Sequence, residues 1–553
     1  MLKMMSSENH LQNRLDEHAT KIPGKPALIF FNSGKNNWDY VTYKDLHLKT
    51  QAITHGLQSL LLASENYPLL PVQQSTTLPG PRAALMVPPS VDFFALVFAL
   101  LKTQVIPIIV DPAIGLQNLS NSFAESQPDI FIGNWQTHLL RKMLGWGKNT
   151  IKHNVTLSDL IRPDYTPTQT INPKSAKTSS PAAVIYTSGS TGAPKGVILT
   201  HGNLLAQLDL LRNTFNINPD EIDLPAFPVF ALIDILLGIT AIVPDINFPQ
   251  PARIDPKRVV EGINRFQVST LFASPILLDN LATYALSNAS TLKPLKRVIT
   301  AGAPAPVHVI QNFRKILPES CILNGIYGAT ESLPITSIDC QEILEETNHK
   351  TMLGAGVCIG KPITGVCVRI IKITDSSIIN WSEDIVINEY GSVGEITVKG
   401  PSVTAQYLSS LEQNELAKIH EGDEIVHRMG DLGYFDVQGR LWFCGRKSHR
   451  IETEFGPLFT EQIEGLFNAH PKIYRTAVVG VFGKPVLWVE LNAADKHIDK
   501  KVIIQELIQM AKNHTHASKI HTFLFKDKFP TDVRHNSKII REKLAFLALE
   551  KLR

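Results

Sequence analysis

Hydroxyl side chains, glycines and one lysine alternate between Tyr186 and Gly196, a spacing suited to holding phosphates. Apolar runs with β-branched residues lie on both sides, so we expect a strand, a tight loop and a second strand. Inward-turning N–H groups and the hydroxyls would form a polyphosphate cradle, to which Lys195 adds a positive charge. The alternative is a Ser/Gly-rich surface loop without a ligand. The residues expected in the cradle are Thr187, Ser188, Gly189, Ser190, Thr191, Gly192 and Lys195.

This loop differs from the common P-loop, in which a serine or threonine follows the lysine at the start of a helix. Here Gly196 follows Lys195, and the next residues form a β-type run. Because no hydroxyl stands where a P-loop binds Mg²⁺, we expect the metal ligand to come from another part of the chain.

The pattern T-S-G-S-T-G-x-P-K-G over 187–196 resembles the phosphate loop of the adenylate-forming superfamily, which includes acyl-CoA synthetases, luciferases and peptide-synthetase adenylation domains. Further motifs of that superfamily follow in the same order along the chain. They are Y-G-A-T-E over 327–331, G-D-L-G over 430–433, G-R at 445–446 and P-x(7)-K-I-x-R over 530–541. Before them, the small Gly302-Ala303-Pro304 turn would let a flat ring approach the backbone closely. The resemblance implies an AMP-forming ligase that uses ATP and Mg²⁺ to adenylate a carboxylic acid.

The resemblance also implies roles for individual residues of these motifs. Tyr327 stacks on adenine, Thr330 binds an α-phosphate oxygen and Glu331 holds the Mg²⁺ ion. Asp431 accepts hydrogen bonds from both ribose hydroxyls, and Arg446 contacts the ribose. Taken alone, Glu331 would be a solvated loop acid and Asp431 a residue that closes a turn. The expected ATP-binding set comprises the cradle together with Gly302, Ala303, Pro304, Tyr327, Gly328, Thr330, Asp431, Arg446 and Lys538.

A lysine close to the end of the sequence completes the predicted adenylation site. Lys538 lies in a segment that resembles the catalytic-lysine motif of the superfamily, although Ser537 replaces the usual glycine. A carboxylate that attacks the α-phosphorus of ATP brings two anions together, and an ammonium group offsets their repulsion. A lysine here would otherwise be a solvated surface group. By resemblance, residues 1–446 form the body, Ser448 is the hinge and residues 447–553 form a mobile lid. The predicted catalytic residues are Lys195, Thr330, Glu331 and Lys538.

Departures from the superfamily pattern after the hinge bear on the second half-reaction. Glu452 stands where thioester-forming relatives present a lysine-containing loop to the thiol, which argues against coenzyme A as a co-substrate. The segments 227–232, 446–450 and 532–539 resemble one branch, the β-lactone synthetases of bacterial olefin biosynthesis. That resemblance implies a 2-alkyl-3-hydroxy fatty acid whose own hydroxyl displaces AMP to close a β-lactone.

The acyl site and the base for this closure are predicted from fewer residues. Phe230, Ala231 and Ile326 are the expected acyl-pocket residues, and an ordinary buried core is the alternative. His449 and His535 are candidate bases, or else structural residues of the lid. Two other functions stay open. One is a fatty acyl-CoA ligase, or a fatty acyl-AMP ligase that serves a carrier protein, and the other is a non-catalytic nucleotide-binding scaffold.

The composition limits the classes of binding partner and the cellular compartment that we expect for this protein. Lys and Arg number 54 against 51 Asp and Glu, so the net charge of +3 gives no reason to expect a nucleic acid partner. Five cysteines without C-x-x-C spacing predict neither a zinc site nor a disulfide framework. No secretory segment and no apolar run long enough to span a bilayer are apparent. We expect a cytoplasmic enzyme, present at the membrane surface when its apolar substrate requires it. Its expected partners are a lipid carboxylic acid and other enzymes of a lipid pathway.

The elements that must position these residues follow an α/β pattern. Residues 20–120 alternate strand-like and helix-like runs, including a helix that begins after Thr42 and another over 90–101. Relatives carry Ala-Gly after that second helix, whereas this chain has Thr103 and Gln104. The expected fold is α/β: a large N-terminal body of doubly wound sheets plus a β-subdomain, followed by a small α+β C-terminal lid.

Overall fold

A computed structural model of the protein describes residues 10–32, 36–62, 78–111, 114–161, 176–187, 194–244, 254–408, 411–531 and 538–552. The chain folds into two compact units. The first consists of Met1–Phe272, Ala329–Leu333 and Pro401–Lys418, and the second of Ala273–Gly328, Pro334–Gly400 and Ile419–Arg553. The predicted mixed α/β class is confirmed. The predicted division into body and lid after Arg446 stays a prediction.

Strands and helices alternate through the first half of the chain, as the sequence pattern predicts. The strands are β1 Pro26–Asn32, β2 Asn37–Thr42, β3 Arg82–Met86, β4 Ile106–Val110, β5 Ile130–Gly133, β6 His153–Val155, β7 Pro181–Thr187, β8 Lys195–Thr200, β9 Ile222–Pro225, β10 Thr240–Val243 and β11 Thr270–Ala273. The helices are α1 Arg14–Lys21, α2 Tyr43–Leu62, α3 Val91–Thr103, α4 Leu116–Ser126, α5 Trp135–Leu144, α6 Leu157–Leu160, α7 His201–Phe215, α8 Ala231–Leu237 and α9 Pro256–Phe266.

Two sets of mainly parallel strands form the framework of the first unit. One has the order β6-β5-β3-β4-β7-β8 and is parallel except for the β7–β8 pair. The other has the order β11-β9-β10-β1-β2 and is antiparallel only between β1 and β2. The carboxyl ends of parallel strands are where ligands bind in such folds.

Local signals account for the helix ends in this region. Thr42 caps α2, since its hydroxyl accepts from the N–H of Asp45 at 3.1 Å and the Asp45 carboxylate accepts from the N–H of Thr42 at 3.2 Å. Ser90 caps α3 by accepting from the N–H of Phe93. At the other end of α3, Gln104 adopts the left-handed conformation with φ +57°. Gln104 therefore closes the helix, although it is not the glycine expected there from the superfamily resemblance.

Most of the remaining strands and helices lie in the second unit, whereas the helix Leu411–Ala417 belongs to the first. The remaining strands of the chain are β12 Arg297–Thr300, β13 Ile322–Ala329, β14 Ser332–Asp339, β15 Val357–Cys358, β16 Lys361–Pro362, β17 Cys367–Ile371, β18 Gly394–Lys399, β19 Lys418–Glu421, β20 Glu424–Phe435, β21 Leu441–Arg446, β22 Ile451–Thr453, β23 Gly456–Leu458, β24 Ile473–Val481, β25 Lys484–Leu491 and β26 Thr522–Phe525. The remaining helices are α10 Pro275–Ser287, α11 Val307–Arg314, α12 Cys340–Glu342, α13 Asn348–Met352, α14 Leu411–Ala417, α15 Thr460–Phe467, α16 Lys500–Ala511 and α17 Arg541–Leu552.

These strands pair locally. The order β16-β14-β13-β12 includes the parallel pair β12–β13, and β15-β21-β20-β18-β17 forms an antiparallel sheet with β19 beside β20. Towards the C-terminal end, β22 and β23 form a hairpin, and β24-β25-β26 is a small mixed sheet packed with α15, α16 and α17. Among the described residues, no helix is long and apolar enough to cross a bilayer.

Candidate active site

The β7–β8 hairpin positions the lysine of the predicted phosphate cradle. The two strands are antiparallel, with Thr187 opposite Lys195 and Tyr186 opposite Gly196. The two strands predicted on either side of the loop are therefore confirmed. The cradle residues Ser188, Gly189, Ser190, Thr191 and Gly192 lie outside the described residues, as does the side chain of Thr187.

Gly196 marks a close approach between this hairpin and the chain after Pro401. A Cβ atom added at Gly196 would lie 3.0 Å from Cζ of Tyr186 and 3.2 Å from Cβ of Leu408. The N–H of Leu408 donates to the carbonyl of Gly196 at 2.8 Å, and Tyr407 forms an antiparallel bridge with Val197. The segment Pro401–Lys418 is thus joined to β8 next to Lys195.

Thr330 and Glu331 form the two-residue turn that joins β13 to β14, and both are half-buried. Oη of Tyr407 donates to Oε1 of Glu331 at 2.7 Å. The backbone of the same turn is held too, because the N–H of Thr404 donates to the carbonyl of Glu331 at 2.9 Å. A strand-connecting turn held at both its backbone and its carboxylate gives Glu331 a fixed orientation.

Tyr407 brings two cations next to this carboxylate. Nζ of Lys195 lies 5.1 Å from the centroid of the Tyr407 ring, and Nζ of Lys418 lies 5.3 Å from it. Both distances fall within the range of a cation–π contact. Asn414 holds the backbone of Tyr407, accepting from its N–H at 2.7 Å and donating to its carbonyl at 3.2 Å. One ring therefore contacts the predicted phosphate lysine and carries the hydroxyl bound to the predicted metal ligand.

Lys418 is buried, with 4% of its surface exposed. Its Nζ donates to the carbonyl of Thr404 at 2.6 Å and to Oγ1 of Thr404 at 3.1 Å. The pKa of Lys418 is lowered to about 7, chiefly by burial; the charge of Glu331 acts to raise this pKa and the charge of Lys195 to lower it. The contacts close a ring of interactions that runs from Glu331 through Thr404, Lys418 and Tyr407 back to Glu331.

In the second unit, the predicted adenine and ribose residues are brought together. Oη of Tyr327 donates to Oδ2 of Asp431 at 2.6 Å, and Nη1 of Arg446 lies 2.9 Å from Oδ1. Asp431 and Arg446 lie opposite each other on β20 and β21. Burial raises the pKa of Asp431, whereas Arg446, Tyr327 and Lys538 act in the opposite direction. The positive charge of Lys538 therefore acts to lower the pKa of the carboxyl group that is predicted to bind the ribose.

The predicted G-A-P turn follows β12 directly. Gly302 adopts φ +95°, which favours glycine, and the turn lies at the carboxyl end of a strand that is parallel to β13. Gly302 and Pro304 are exposed and Ala303 is half-buried. Tyr327 and Gly328 are both half-buried near the end of β13, so backbone and ring surfaces for a planar base are available in this unit.

Contacts of the neighbouring residues hold the backbone around Lys538. Thr531 and Ile539 form an antiparallel bridge, and Nη2 of Arg541 donates to Oε2 of Glu464 on α15 at 2.9 Å. Glu464 also accepts from the N–H of Val478 at 2.8 Å. Lys538 itself is exposed.

A scan against protein-family models matches residues 73–408 to the AMP-binding enzyme family. The chain belongs to this family. It is 41% identical to an olefin β-lactone synthetase of Xanthomonas campestris pv. campestris over 98% of this chain and 96% of that protein. It is 38% identical to an olefin β-lactone synthetase of Stenotrophomonas maltophilia over 98% of this chain and 97% of that protein. The predicted resemblance to the adenylate-forming superfamily and to this branch is confirmed.

Solved structures confirm the fold of this AMP-binding enzyme. An o-succinylbenzoate CoA synthetase of Bacillus subtilis in complex with its acyl-adenylate has a TM-score of 0.74 at 20% identity, over 96% of this chain and 97% of that one. An amide bond synthetase of Marinactinospora thermotolerans has a TM-score of 0.78 at 19% identity, over 97% and 99%. The TM-scores over almost the whole of each chain establish a shared fold.

Other predicted site residues of the AMP-binding enzyme have more ordinary surroundings. The Phe230 ring packs on Phe272 with 4.6 Å between centroids, and Phe227 completes the aromatic cluster. Ala231 has no exposed surface and packs in the core, and Ile326 is buried on β13. The remaining predictions concern Ser448, exposed in the short 3₁₀ turn Lys447–His449, and His535, which lies outside the described residues.

His449 and Glu452 have charged neighbours in the second unit. Nε2 of His449 lies 3.4 Å from Oε1 of Glu542, and burial with the nearby Arg541 charge lowers the pKa of His449 to about 4. Glu452 accepts from Nε of Arg450 at 2.6 Å. Glu452 is therefore paired with a residue that immediately precedes its strand, β22.

Sequence reasoning missed Tyr407 and Lys418. Both follow a Gly-Pro pair after β18, but their partner Glu331 lies 76 residues before Tyr407 in the sequence. A lysine is expected at the surface, so Lys418 gives no sign of burial. The available signal was the apolar setting Ala417-Lys418-Ile419, which is unusual for a solvated lysine.

Glu461 provides a pH-dependent prediction within the second unit. Burial and the neighbouring Glu464 raise the pKa of Glu461 to about 7. A carboxyl with a raised folded-state pKa stabilises the fold below its unfolded value of about 4.5, and this contribution is lost as the pH rises through about 7. We expect Glu461→Gln to be more stable than wild type by roughly 1–3 kcal/mol at about pH 8, and similar to it at about pH 4.5.

The measurement is the midpoint of urea unfolding at both pH values. The control is Glu412→Gln, because Glu412 is exposed on α14 and should leave the pH dependence unchanged. Equal pH dependence in wild type and Glu461→Gln would show that Glu461 is ionised at little cost in the folded state.

Proposed function

We propose that this AMP-binding enzyme activates a long-chain carboxylic acid with ATP and converts the acyl-adenylate to a β-lactone. The observation that carries the first step is the meeting of Glu331 and Lys195 at Tyr407. An oriented carboxylate near a lysine suits the binding of nucleotide phosphates together with a divalent cation. The products of the whole reaction would be the lactone, AMP and pyrophosphate.

Glu331 fits the part of the Mg²⁺ ligand. Its Oε1 accepts from Tyr407, so the carboxylate is held in one orientation, and nucleotide sites commonly hold Mg²⁺ through one or two carboxylates plus phosphate oxygens. When bound, the ion would neutralise charge on the phosphates during transfer. Among the described residues there is no cluster of three or more side chains that could hold a metal ion.

The nucleoside would be bound by residues of the second unit. Asp431 is buried and bound by Tyr327 and Arg446, and its carboxylate would accept from the ribose hydroxyls when the nucleotide is present. The Tyr327 ring would stack on the adenine, and the Gly302 turn would pass close to it.

In the first step, a carboxylate oxygen of the acid bonds to the α-phosphorus of ATP, and the bond to pyrophosphate breaks. Lys195 would offset charge on the departing pyrophosphate, and Thr330 would donate to an α-phosphate oxygen. Lys538 would bridge the attacking carboxylate and the α-phosphate, which offsets the repulsion between the two anions.

In the second step, the 3-hydroxyl oxygen of the acyl group attacks the acyl carbon, the bond to AMP breaks and the hydroxyl proton passes to a base. An intramolecular nucleophile has a high effective molarity, so the protein needs chiefly to hold the reacting conformer and exclude water. His449 is neutral at pH 7 but a weak base, because its pKa is lowered to about 4. This favours a structural role for His449 and leaves His535 as the histidine candidate for the base.

The lactone product and the apolar acid are supported by different observations. Identity to olefin β-lactone synthetases reaches 41% over almost the whole chain, whereas 2-succinylbenzoate–CoA ligases match at 28% over 66% of it. The pairing of Glu452 with Arg450 removes a free charge from the place of the usual acceptor loop. The aromatic cluster of Phe227, Phe230 and Phe272 would suit a long acyl chain.

The test is mass spectrometry of the products formed from ATP, Mg²⁺ and a synthetic 2-alkyl-3-hydroxy fatty acid, with and without coenzyme A. We expect a product lighter than the acid by one water, with release of AMP, in both reactions. The matched control is the same acid without its 3-hydroxyl, which should release pyrophosphate and yield no lactone. Absence of pyrophosphate release with either acid would contradict the adenylation step.

The second candidate is a fatty acyl-CoA ligase, or a fatty acyl-AMP ligase that serves a carrier protein. It is favoured by the fold shared with a CoA synthetase. A thioester found only in the presence of coenzyme A would establish this candidate and contradict lactone formation.

A further inference from the structure

Helix α5 presents an apolar stripe to solvent. Trp135, Leu139 and Met143 are 70%, 52% and 75% exposed, and Leu144 beside them is 42% exposed. Spacings of four residues place the first three on one face of a helix. No residue of this helix is buried, which is unusual for a helix that contains so many large apolar side chains.

The other side of α5 contacts the neighbouring strands β5 and β6. Nε2 of His138 lies 3.1 Å from the carbonyl of Val155, and the His138 ring packs on Phe131. Nη1 of Arg141 donates to the carbonyl of Trp146 at 3.0 Å. Cζ of Arg141 also lies 5.7 Å from the centroid of the Phe131 ring on β5. Because His138 and Arg141 both face this sheet, the stripe of Trp135, Leu139 and Met143 faces away from it.

The surroundings of the stripe are positively charged. From residue 130 to residue 158 the sequence contains four Lys or Arg residues and no Asp or Glu. Lys142 and Lys148 are exposed, and Lys152 is exposed with its Nζ 3.7 Å from Oδ1 of Asp129 at the edge of the region. Asp159, the next acid along the chain, is bound to the cap of α6. The stripe therefore has a basic border on the helix and on the loop that follows it.

We propose that the Trp135–Leu139–Met143 face of α5 binds an anionic lipid surface. Apolar side chains with a tryptophan enter the boundary between headgroups and acyl chains, and the lysines pair with anionic headgroups. A second copy of this chain is a poorer occupant, because a symmetric contact would place Lys142 and Lys148 of both copies on one like-charged face. This inference is independent of the proposed reaction, since it requires neither ATP nor an acid substrate.

The test is co-sedimentation of the full chain with vesicles of phosphatidylcholine alone or mixed with phosphatidylglycerol. The six tryptophans all lie in described residues, and Trp135 is the one with a largely exposed side chain. We expect binding to the mixed vesicles only, a shift of tryptophan emission to shorter wavelength, and weaker binding at high salt.

Two variants separate the apolar and electrostatic parts of the contact. Trp135→Gln combined with Leu139→Gln should lower the bound fraction at least severalfold and abolish the emission shift. Lys142→Glu combined with Lys148→Glu should remove the preference for anionic vesicles. Val437→Gln is the matched control, because Val437 is 80% exposed in the turn between β20 and β21. Unchanged thermal unfolding would verify that each variant folds.

Three outcomes would overturn the proposal. They are equal binding to both kinds of vesicle, unchanged binding of the Trp135→Gln, Leu139→Gln variant, and no binding by the wild-type chain. A change in oligomeric state caused by that variant, without vesicle binding, would instead identify the face as a protein interface.

Discussion

Replacing Lys538 with alanine should lower the rate of acyl-adenylate formation by about 10²–10³-fold. The substrate carboxylate and the α-phosphate repel each other, and the variant loses the ammonium group proposed to bridge them. The backbone around Lys538 is held separately by Arg541 and Glu464, so the variant should keep its fold. The measurement is ATP–pyrophosphate exchange driven by the acid, which reports the first step alone.

Two comparisons make the Lys538 result specific. Lys543→Ala is the matched control, because Lys543 is an exposed lysine of the adjoining helix α17. Chemically prepared acyl-adenylate supplied to Lys538→Ala should still yield lactone, since Lys538 is assigned to the first step. Full exchange activity in Lys538→Ala would contradict its catalytic assignment.

Replacing Glu331 with glutamine should lower the adenylation rate by about 10²–10³-fold at ordinary Mg²⁺ concentrations. Glutamine keeps the size of the side chain and can accept from Tyr407, but it loses the negative charge that would hold the cation. Raising the Mg²⁺ concentration should recover part of the activity. Nucleotide binding measured without Mg²⁺ should stay close to the wild-type value.

Tyr407→Phe gives a graded form of the same test. It keeps the ring beside Lys195 and Lys418 and removes the hydroxyl that orients Glu331. We expect half-maximal activity at about tenfold higher Mg²⁺, because a group that orients a metal ligand affects metal affinity more than nucleotide affinity. Tyr390→Phe is the control, since Tyr390 is 62% exposed. An unchanged Mg²⁺ requirement in both Glu331→Gln and Tyr407→Phe would contradict the assignment of the metal ligand.

Local patterns predicted much of the fold, because their causes lie within a few residues. The cap at Thr42, the helix predicted over 90–101 and the two strands on either side of the phosphate cradle are confirmed. Gln104 is an informative case, because it adopts the left-handed conformation that glycine usually supplies at a helix end. The backbone at that position tolerates the left-handed conformation without the residue type that usually marks it.

The long-range contacts of the site could not be predicted from the sequence. Nothing near Tyr407 indicates that its hydroxyl binds Glu331 or that its ring contacts Lys195, since these contacts depend on how distant strands pair. The burial of Lys418 contradicts the ordinary expectation for lysine for the same reason. The motifs predicted the site residues Lys195 and Glu331. Tyr407, which contacts both of them, and Lys418 beside its ring belong to no motif and were therefore not predicted.

The attachment of Pro401–Lys418 to both β8 and the Glu331 turn limits how this site can be transplanted. A designer who grafts the β7–β8 hairpin and the Thr330–Glu331 turn onto another scaffold would carry over every recognisable motif residue of the phosphate end. The graft would nevertheless lack Tyr407 and the segment that holds it. Lys195 and Glu331 would then lose the side chain that both of them contact. Three sequence-distant segments must be inherited together, and exchange of any one of them between homologues should therefore be tolerated only when its two partners are exchanged with it.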